Sequence, residues 1–457
     1  MEPDDILSPV IRRRDFLTGL AGATLAGCGP ERPRPNILVL VPDQYRGMDL
    51  GVMGNPDVQT PNMDNLASEG VLLENTFANC PVCCPARGTL LTGRYAHAHG
   101  VAVNDAPLPD NEITVAEILK EQGYRTGFVG KWHLEGGKRL PGFVPPGPRR
   151  QGFDYWAANI CSHDYWNMQY FRDDPTPIDM PGYSAETFTD EAIEFIAQES
   201  DEPFCLYLEW GPPHNPYVAP PEYMNLYDPD ALTMRGNWQP EARLGSRNDI
   251  AGYYGAVTFI DNEVGRILNV LEESGQAENT IVFLTSDHGD MLGSHGRSLK
   301  RKPWEESIHV PGILRYPGAV ASGQTASFPF SHVDMVPTLL GLAGVPAKPD
   351  MHGRDVSGLL TGAGGDAPES VYLQSYTSTE QNEFPPWRGV RTARHTYARH
   401  ADRPWVFHDN QEDPFQLANL AGNPSHRERE SELDALTTRW FEDTQDAWAE
   451  RKDRPYR

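Results

Sequence analysis

Residues 83–94 of the sequence, Cys-Cys-Pro-Ala-Arg-Gly-Thr-Leu-Leu-Thr-Gly-Arg, combine a thiol, a guanidinium and helix-boundary signals within one short stretch. Pro85 suits the first turn of a helix, where its missing N–H is not needed, and Gly93 suits the left-handed position just past a helix end. Cys83 is therefore predicted to lie near a helix N-terminus, where free backbone N–H groups favour an anion. Arg87, one turn further on, can reach the same spot. This arrangement indicates a site for an oxyanion ester.

Polar residues also follow four predicted strands. They are Asp43 and Gln44, Lys131 and His133, His214, and Asp287 and His288. In an open α/β sheet the carboxyl ends of the strands form the ligand-binding edge, so we expect these side chains to converge. Each residue alone also has a structural interpretation, such as a turn cap for Asp43, a buried core histidine for His133 or a solvated charge for Lys131. Together they predict one metal-assisted hydrolytic site.

The elements that must position these residues alternate short apolar runs with helical stretches. This alternation is typical of an α/β domain around a largely parallel sheet. The predicted strands are 36–41, 125–129, 204–210 and 280–284. The predicted helices run from Pro61 to Gly70, from Thr114 to Gly123, and over about 187–198 and 250–273. Thr114 and Glu117 form a capping-box pattern at the start of the second of these helices.

The stretch that begins at Cys83 resembles the signature of the type I sulfatases, Cys-x-Pro-x-Arg followed by Leu-Thr-Gly-Arg, although Ala86 stands where the family more often has serine. Further motifs follow in the family's order. They are Gly-Lys-Trp-His at 130–133, Pro-His-x-Pro at 213–216, Ser-Asp-His-Gly at 286–289, and Lys300 ahead of Trp-Glu-Glu at 304–306. The resemblance implies the alkaline-phosphatase-like α/β fold. In that fold a large, mostly parallel sheet is flanked by helices, and a smaller C-terminal antiparallel sheet is packed by a helix.

In the family that the chain resembles, the first cysteine of the signature is oxidised to formylglycine (3-oxoalanine). The resemblance therefore identifies Cys83, not Cys84, as the modified residue, and it implies a formylglycine-generating enzyme or an anaerobic maturase as a partner. It also implies a divalent cation, whose ligands are Asp43, Gln44, the modified Cys83, Asp287 and His288. Calcium is the family's usual ion. Gln44 and His288 replace a second aspartate and an asparagine, which leaves Mn²⁺ or Mg²⁺ open.

The resemblance also implies a mechanism. One hydroxyl of the formylglycine hydrate, deprotonated with help from Asp287, attacks sulfur and forms a sulfated hemiacetal. His133 then takes the proton from the other hydroxyl, so that sulfate is expelled and the aldehyde is regenerated. The other catalytic residues implied are Arg87 and Lys131, which hold the nucleophile and the charge, and His214 and Lys300, which protonate and orient the leaving oxygen.

The predicted substrate is a sulfated carbohydrate, because a surface-anchored sulfatase reaches polymers that are too large to import. Aromatic and hydrogen-bonding side chains at 161–167 suit a sugar ring, and the pair Asn104 and Asp105 follows the nucleophile helix closely enough to reach the same pocket. The candidate substrate-binding residues are Asn104, His163 and Trp166. Two alternatives stay open. One is a phosphonate monoester or phosphodiester hydrolase with the same metal set, and the other is an unmodified, inactive surface protein that binds sulfated glycans.

Residues 1–28 are predicted to be an export signal. Arginines at 12–14 and Phe-Leu at 16–17 precede an apolar run that is too short to span a bilayer. The twin arginines resemble a Tat signal, and Leu-Ala-Gly-Cys at 25–28 resembles a bacterial lipobox, which implies lipidation of Cys28. A disordered basic leader is the alternative. We therefore predict an exported lipoprotein, periplasmic or at the cell surface, that a lipid anchors to the membrane.

Charge and length limit the possible functions. The 457 residues include 64 acidic and 39 basic ones, a formal net charge of −25, which argues against nucleic acid as a partner. The length after the signal allows one large domain with an appendage. We predict a catalytic domain over 34–365 and a C-terminal subdomain over 366–457, separated by a linker at 361–367. Six cysteines do not suggest a disulfide framework in so long a chain.

Overall fold

The strand Asn36–Asp43 lies near the centre of an eight-stranded sheet and is buried along its whole length. The structure, a computed structural model, describes residues 33–137, 139–376 and 385–450. Its strands are β1 (Asn36–Asp43), β2 (Val71–Leu73), β3 (Thr76–Phe77), β4 (Arg125–Lys131), β5 (Tyr155–Asn159), β6 (Gln169–Tyr170), β7 (Ile178–Asp179), β8 (Phe204–Pro213), β9 (Thr280–Leu284), β10 (Ile313–Arg315), β11 (Gln324–Ala326), β12 (Phe330–Ser331), β13 (Ser370–Ser375), β14 (Trp387–Thr392), β15 (His395–Arg399) and β16 (Pro404–Asp409).

The large sheet is mostly parallel, as predicted. Its strands are ordered β11-β2-β10-β9-β1-β8-β4-β5. β1 is parallel to β8 and β9, and β4 is parallel to β8 and β5. β10 is antiparallel to its two neighbours, β9 and β2. Because β9, β1, β8 and β4 are neighbours and run in one direction, their carboxyl ends lie side by side at one edge.

Helices cover both faces of this sheet. They are α1 (Pro61–Glu69), α2 (Cys83–Thr92), α3 (Ala96–His99), α4 (Val115–Glu121), α5 (Ser184–Ile196), α6 (Pro221–Met224), α7 (Arg247–Glu273), α8 (Glu305–Ile308), α9 (His332–Leu342), α10 (Ser357–Leu360) and α11 (Arg427–Thr444). Side chains alternate between the two faces of a strand. Leu38 and Leu40 of β1 therefore join the core formed with α1, α5 and α7, whereas Ile37 and Val39 join the core formed with α2, α4 and α9.

Helix boundaries near the site follow the local sequence signals. Thr114 caps α4 and forms the predicted capping box with Glu117. α2 begins at Cys83, and Gly93 ends it in the left-handed conformation with φ of 64°. Capping depends on side chains and backbone angles that are adjacent in sequence, so these boundaries could be predicted without tertiary information.

The last quarter of the chain forms the predicted smaller antiparallel sheet, ordered β13-β14-β15-β16. α11 packs on it, with Leu433 of the helix in one apolar cluster with Tyr397 and Phe407 of the sheet. The described residues from Arg34 onward fall in one compact unit. The domain boundary near residue 365 stays a prediction.

The predicted export signal, including Cys28, lies outside the described residues. No helix among those that the structure describes is long and apolar enough to cross a bilayer. The described cysteines are all free and buried; they are Cys80, Cys83, Cys84, Cys161 and Cys205.

Candidate active site

The carboxyl ends of four neighbouring parallel strands bring the predicted residues together. Asp43 ends β1, Lys131 ends β4, His214 directly follows β8, and Asp287 follows β9 by a short turn. All four are buried. The N-terminus of α2 meets the same edge of the sheet and brings Cys83 to it. Residues distant in sequence share one site because parallel strands align their carboxyl ends.

Cys83 lies in surroundings that favour an anion. Its Sγ is 3.2 Å from Nε2 of His288. Burial by itself raises the pKa of the Cys83 thiol, but Lys300, Lys131 and His288 together hold that pKa well below its usual value. The helix N-terminus that the sequence predicted is therefore supplemented by two lysines that come from other parts of the chain.

Asp43, Cys83, Asp287 and His288 form a cluster whose ligand atoms all lie within 4.8 Å of one another. His288 Nδ1–H donates to the carbonyl of Gly289 at 3.0 Å, which leaves the Nε2 lone pair for the cluster. Asp43 Oδ1 is buried and has no hydrogen-bond partner among the described residues. Burial and the charge of Asp43 raise the pKa of Asp287. Two crowded carboxylates with an orphaned oxygen and an imidazole lone pair fit a divalent cation.

Two buried cations balance these carboxylates. Arg87 Nη2 lies 3.1 Å from Asp287 Oδ2 and 3.3 Å from Asp43 Oδ2. Arg87 Nη1 forms a close ion pair with Glu209 and donates to the carbonyl of Lys131 at 2.9 Å. Lys131 Nζ forms a close ion pair with Asp43. Burial alone would raise the pKa of Asp43, but Lys131, His214 and Arg87 together hold that pKa well below its usual value.

Gln44 links the cluster to the residues predicted to act on the leaving group. Lys300 Nζ donates to Gln44 Oε1 at 2.7 Å and to His214 Nε2 at 2.9 Å. On the other side, Gln44 Nε2 donates to Asp290 Oδ2 at 2.6 Å, and the Tyr217 hydroxyl donates to the same oxygen at 2.7 Å. The Gln44 amide is therefore bonded to Lys300 and Asp290, and its role as a metal ligand stays a prediction.

His214 is held in one orientation and one tautomer. Its Nδ1–H donates to the carbonyl of Asn215 at 2.8 Å, so Nε2 is the atom that accepts from Lys300. Burial, and after it the charge of Lys300, lowers the pKa of His214 well below its usual value. The ring of His163 stacks on that of His214 with centroids 4.2 Å apart and planes 3° apart. His163, predicted to bind substrate, thus also supports His214.

His133 is oriented by a carboxylate. Its Nε2 lies 3.2 Å from Asp105 Oδ1, whereas its Nδ1 is buried without a hydrogen-bond partner among the described residues. Burial lowers the pKa of His133, but nearby Cys84 and the hydrogen bond to Asp105 help to raise it well above its usual value. With Nε2–H directed at Asp105, Nδ1 is the nitrogen that can take up a proton.

These groups open into a pocket of about 550 Å³. The predicted residues among its lining are Cys83, Asn104, His133, His163, His214 and Lys300. Asn104 also accepts a hydrogen bond from the Cys84 N–H at 3.0 Å, which ties it to the start of α2. Trp166 is not among the described lining residues. It is 41% exposed and its ring packs on that of Tyr183 with centroids 5.2 Å apart.

The sequence assigned no role of their own to three carboxylates of the site: Asp105, Glu209 and Asp290. Glu209 had a detectable signal, because it is a charged residue within the otherwise apolar strand β8. Asp290 lies next to the Ser-Asp-His-Gly motif but has no spacing of its own that indicates a role. Asp105 simply follows Asn104, and only its contact with His133 distinguishes it.

Comparison with known proteins identifies the family. Residues 35–345 match the family described as Sulfatase, and residues 293–441 match the one described as N-sulphoglucosamine sulphohydrolase, C-terminal. An ulvan-active sulfatase of Formosa agariphila is 38% identical over 414 residues, which are 89% of this chain and 80% of that protein.

Solved structures agree with these sequence matches. One, from work on glycosaminoglycan metabolism by Bacteroides thetaiotaomicron, has a TM-score of 0.85 at 26% identity and covers 92% of this chain and 98% of its own. Another, solved with its substrate D-glucosamine-2-N,6-O-disulfate, has a TM-score of 0.83 at 25% identity and covers 92% of this chain and 100% of its own. The predicted alkaline-phosphatase-like fold is thereby confirmed. With the family match extending over residues 35–345, which are more than half of its length, this chain belongs to the sulfatase family.

Proposed function

We propose that this sulfatase hydrolyses sulfate esters of carbohydrates with a formylglycine formed from Cys83. The observation that carries the proposal is the position of Cys83. It belongs to the cluster of four residues that could bind a cation, and it also lines the basic pocket. Once formed and hydrated, a formylglycine supplies an oxygen nucleophile. That nucleophile would stand beside the cluster and beneath the pocket opening, where a sulfate ester has access to it.

The carbohydrate assignment has support from relatives and from the pocket. The similar proteins are named for activity on ulvan and for a substrate complex with D-glucosamine-2-N,6-O-disulfate. In this chain, the pocket lining includes Asn104, His163, Asn215 and Ser298, whose polar groups suit sugar hydroxyls.

A divalent cation would be held by Asp43, Asp287, His288 and the side chain at position 83. When bound, it supplies a Lewis acid that polarises a sulfate oxygen. We propose Ca²⁺, with Mn²⁺ or Mg²⁺ as the alternatives because one ligand is an imidazole nitrogen. Gln44 is proposed as a further ligand through Oε1, which has a second lone pair beside the one that Lys300 occupies.

The chain's own residues would move the protons. His133 would take a proton at Nδ1 while Asp105 holds its Nε2–H, and Asp287 would assist deprotonation of the nucleophile. Lys300 and His214 would protonate and orient the leaving alcohol oxygen. Their mutual contact of 2.9 Å and the Gln44 bond keep them in place for this step.

Export, lipid anchoring at Cys28 and maturation belong to the same proposal. A formylglycine-generating enzyme or an anaerobic maturase would act on the signature that begins at Cys83. An anchor outside the cytoplasm, in the periplasm or at the cell surface, would place the pocket where sulfated polymers are accessible.

The proposal is tested by comparing two adjacent cysteines in protein purified from the native host. Cys83→Ala should abolish turnover of sulfated oligosaccharides while the fold is retained, because a methyl group cannot form the hydrated nucleophile. Cys84→Ala, the matched control, should stay active. Peptide mass spectrometry should find formylglycine at position 83 in the wild type.

Three outcomes would contradict the proposal. An unmodified thiol at Cys83 in fully active enzyme would exclude the formylglycine mechanism. A preference of at least about tenfold for a phosphonate monoester over every sulfate ester would favour the phosphonate hydrolase alternative. Binding of sulfated glycans by the wild type without any turnover would favour the inactive surface protein.

A further inference from the structure

The active-site pocket is basic in a chain that is acidic as a whole. The sequence has 64 acidic against 39 basic residues, yet no aspartate or glutamate is among the described residues that line the pocket. The cationic lining residues are Arg139, Arg243, Lys300, Arg301 and Lys302. Walls of one sign concentrate ligands of the opposite charge. A sulfate monoester carries a single negative charge, so the pocket has more positive charge than that group needs.

Three of these cations already form hydrogen bonds or an ion pair with groups of the site. Lys300 bonds to Gln44 and His214. Lys302 Nζ donates to the carbonyls of Ser298 and Lys300, each at 3.0 Å, and so holds the loop that carries Lys300. Arg139 is neutralised by Asp105, with Nε 2.9 Å from Oδ1 and Nη2 3.1 Å from Oδ2.

Arg243 differs from these three. It is exposed, it lines the pocket, and no acidic side chain in the described part of the chain pairs with it. Its backbone is nevertheless fixed at the rim, because the next residue, Leu244, exchanges two hydrogen bonds with the Ser298 hydroxyl at 2.8 and 2.9 Å. Ser298 belongs to the loop of Lys300. Arg243 is therefore held on the side of the pocket where the leaving group would lie.

We infer that Arg243 binds a second anionic group of the substrate, on the leaving-group side of the sulfate ester. This inference rests on the proposed function and narrows its substrate class to sugars that carry a carboxylate or a second sulfate near the scissile ester. A guanidinium presents parallel N–H donors that match the oxygens of either group, which makes arginine well suited to this role.

The test measures a selectivity ratio with mature, full-length enzyme. Three oligosaccharides share one scissile sulfate: one has a neighbouring uronate, one has that carboxylate reduced to an alcohol, and one has a second sulfate in its place. The ratio of kcat/KM for each dianionic substrate over the reduced one is measured for the wild type, Arg243→Gln and Arg403→Gln. Arg403 is an exposed arginine that is not among the lining residues of the pocket; it pairs with Asp402 and serves as the charge-matched control.

We expect the wild type to prefer at least one dianionic substrate and Arg243→Gln to reduce that ratio about tenfold, the usual value of one charge-assisted hydrogen bond. Arg403→Gln should leave the ratio unchanged. A reduced ratio for the uronate alone identifies a carboxylate as the second anion, and a reduced ratio for the second sulfate alone identifies a sulfate.

The inference is overturned if the wild type has no preference, or if Arg243→Gln and Arg403→Gln give the same ratio. In both cases hydrolysis of the reduced substrate would show that the proposed function still stands. If the wild type hydrolyses none of the three substrates, the proposed function itself fails and the inference fails with it.

Discussion

At the scale of single residues, buried cations of the site are paired with buried carboxylates. Arg87 contacts the carboxylates of Asp43, Asp287 and Glu209 beneath the pocket, and Lys131 pairs with Asp43. Removing one partner of a buried pair leaves the other charge uncompensated, which costs about 3–5 kcal/mol. Substitutions that keep the shape of a side chain are therefore the informative ones here.

Asp287→Asn should lower kcat/KM for sulfate esters about 10³-fold or more. The substitution removes the proposed cation ligand, which is also the group proposed to assist deprotonation of the nucleophile, and cation catalysis contributes several kcal/mol. Exhaustive chelation of the wild type should remove activity to a similar extent, and re-addition of Ca²⁺, Mn²⁺ or Mg²⁺ should restore it. Full activity of chelated enzyme that elemental analysis finds to be metal-free would contradict the cation site.

Asp290→Asn should reduce turnover through the Gln44 amide. Asp290 Oδ2 accepts from Gln44 and Tyr217 and its Oδ1 accepts from the N–H of Leu292, so an asparagine NH₂ would face a donor in either orientation. Where that NH₂ faces Gln44, a flipped Gln44 would present its own NH₂ to Lys300. We expect a 10–100-fold fall in kcat/KM, which is the usual effect of losing a residue that orients a metal ligand through a hydrogen bond.

Aryl sulfates with different leaving groups test this role. Because Lys300 and His214 are proposed to act on the leaving oxygen, Asp290→Asn should impair substrates with basic phenols more than those with acidic phenols. Tyr217→Phe is the control, since it removes one donor and leaves the bond between Asp290 and Gln44. An equal loss for all leaving groups would instead indicate a general structural defect.

At the scale of elements, the position of α2, the helix that carries Cys83, is fixed by contacts with α3, the short helix that follows it. His99, the last residue of α3, packs so closely on α2 that a Cβ added at Gly88 would lie 2.7 Å from its ring. Thr89 Oγ1 donates to the carbonyl of Pro85 at 3.0 Å, so it can accept from His99 Nε2–H at 3.2 Å. His99 Nδ1 accepts from the N–H of Val101 at 3.2 Å. Only the neutral ring satisfies both contacts.

Burial lowers the pKa of His99 to about 3, so acid should weaken the fold. The unfolded chain binds a proton below a pKa of about 6.5 whereas the folded chain does not until about 3, so stability falls as the pH decreases between these values. His99 alone should account for about 2 kcal/mol between pH 7 and pH 5. Urea unfolding at both pH values measures the difference, which should shrink by that amount in His99→Gln. An unchanged pH dependence in the variant would contradict the assignment.

At the scale of the whole molecule, the small C-terminal sheet supports the loop that carries Lys300. Glu305, at the start of α8, accepts from Arg391 of β14 at 2.8 and 3.1 Å, and it also accepts from Thr396 of β15. Trp387 of the same sheet donates to the carbonyl of Arg301 at 3.1 Å. Residues of the predicted C-terminal subdomain therefore contribute to the geometry of the pocket, although none of those that the structure describes is among its lining.

The proposed lipid anchor at Cys28 is tested by the form of the protein found in membranes. Detergent extraction of native membranes should recover a form that begins at lipidated Cys28, because the sequence around it resembles a lipobox. Cys28→Ala should release the protein from membranes or leave its signal uncleaved. N-terminal peptide mass spectrometry of both forms is the measurement. Wild-type protein found only in the cytoplasm, with residues 1–27 retained, would exclude lipid anchoring.

Local and periodic features of this protein could be determined from the sequence. The apolar runs predicted the central strands, the Thr114 capping box predicted the start of α4, and Gly93 predicted the end of α2. Because the carboxyl ends of parallel strands lie at one edge of a sheet, the sequence also predicted that Asp43 and Asp287 would lie close together. These features depend on neighbours in sequence or on a general rule of topology.

Only the tertiary structure decided which other side chains complete the site. Asp105 reaches His133, Glu209 reaches Arg87, and Asp290 reaches Gln44 across loops whose paths no periodicity encodes. Trp166 was predicted to bind substrate because polar and aromatic residues surround it in sequence, yet it is not among the described residues that line the pocket. Such contacts join segments far apart in the chain, and their geometry depends on how packed side chains fill the space between those segments.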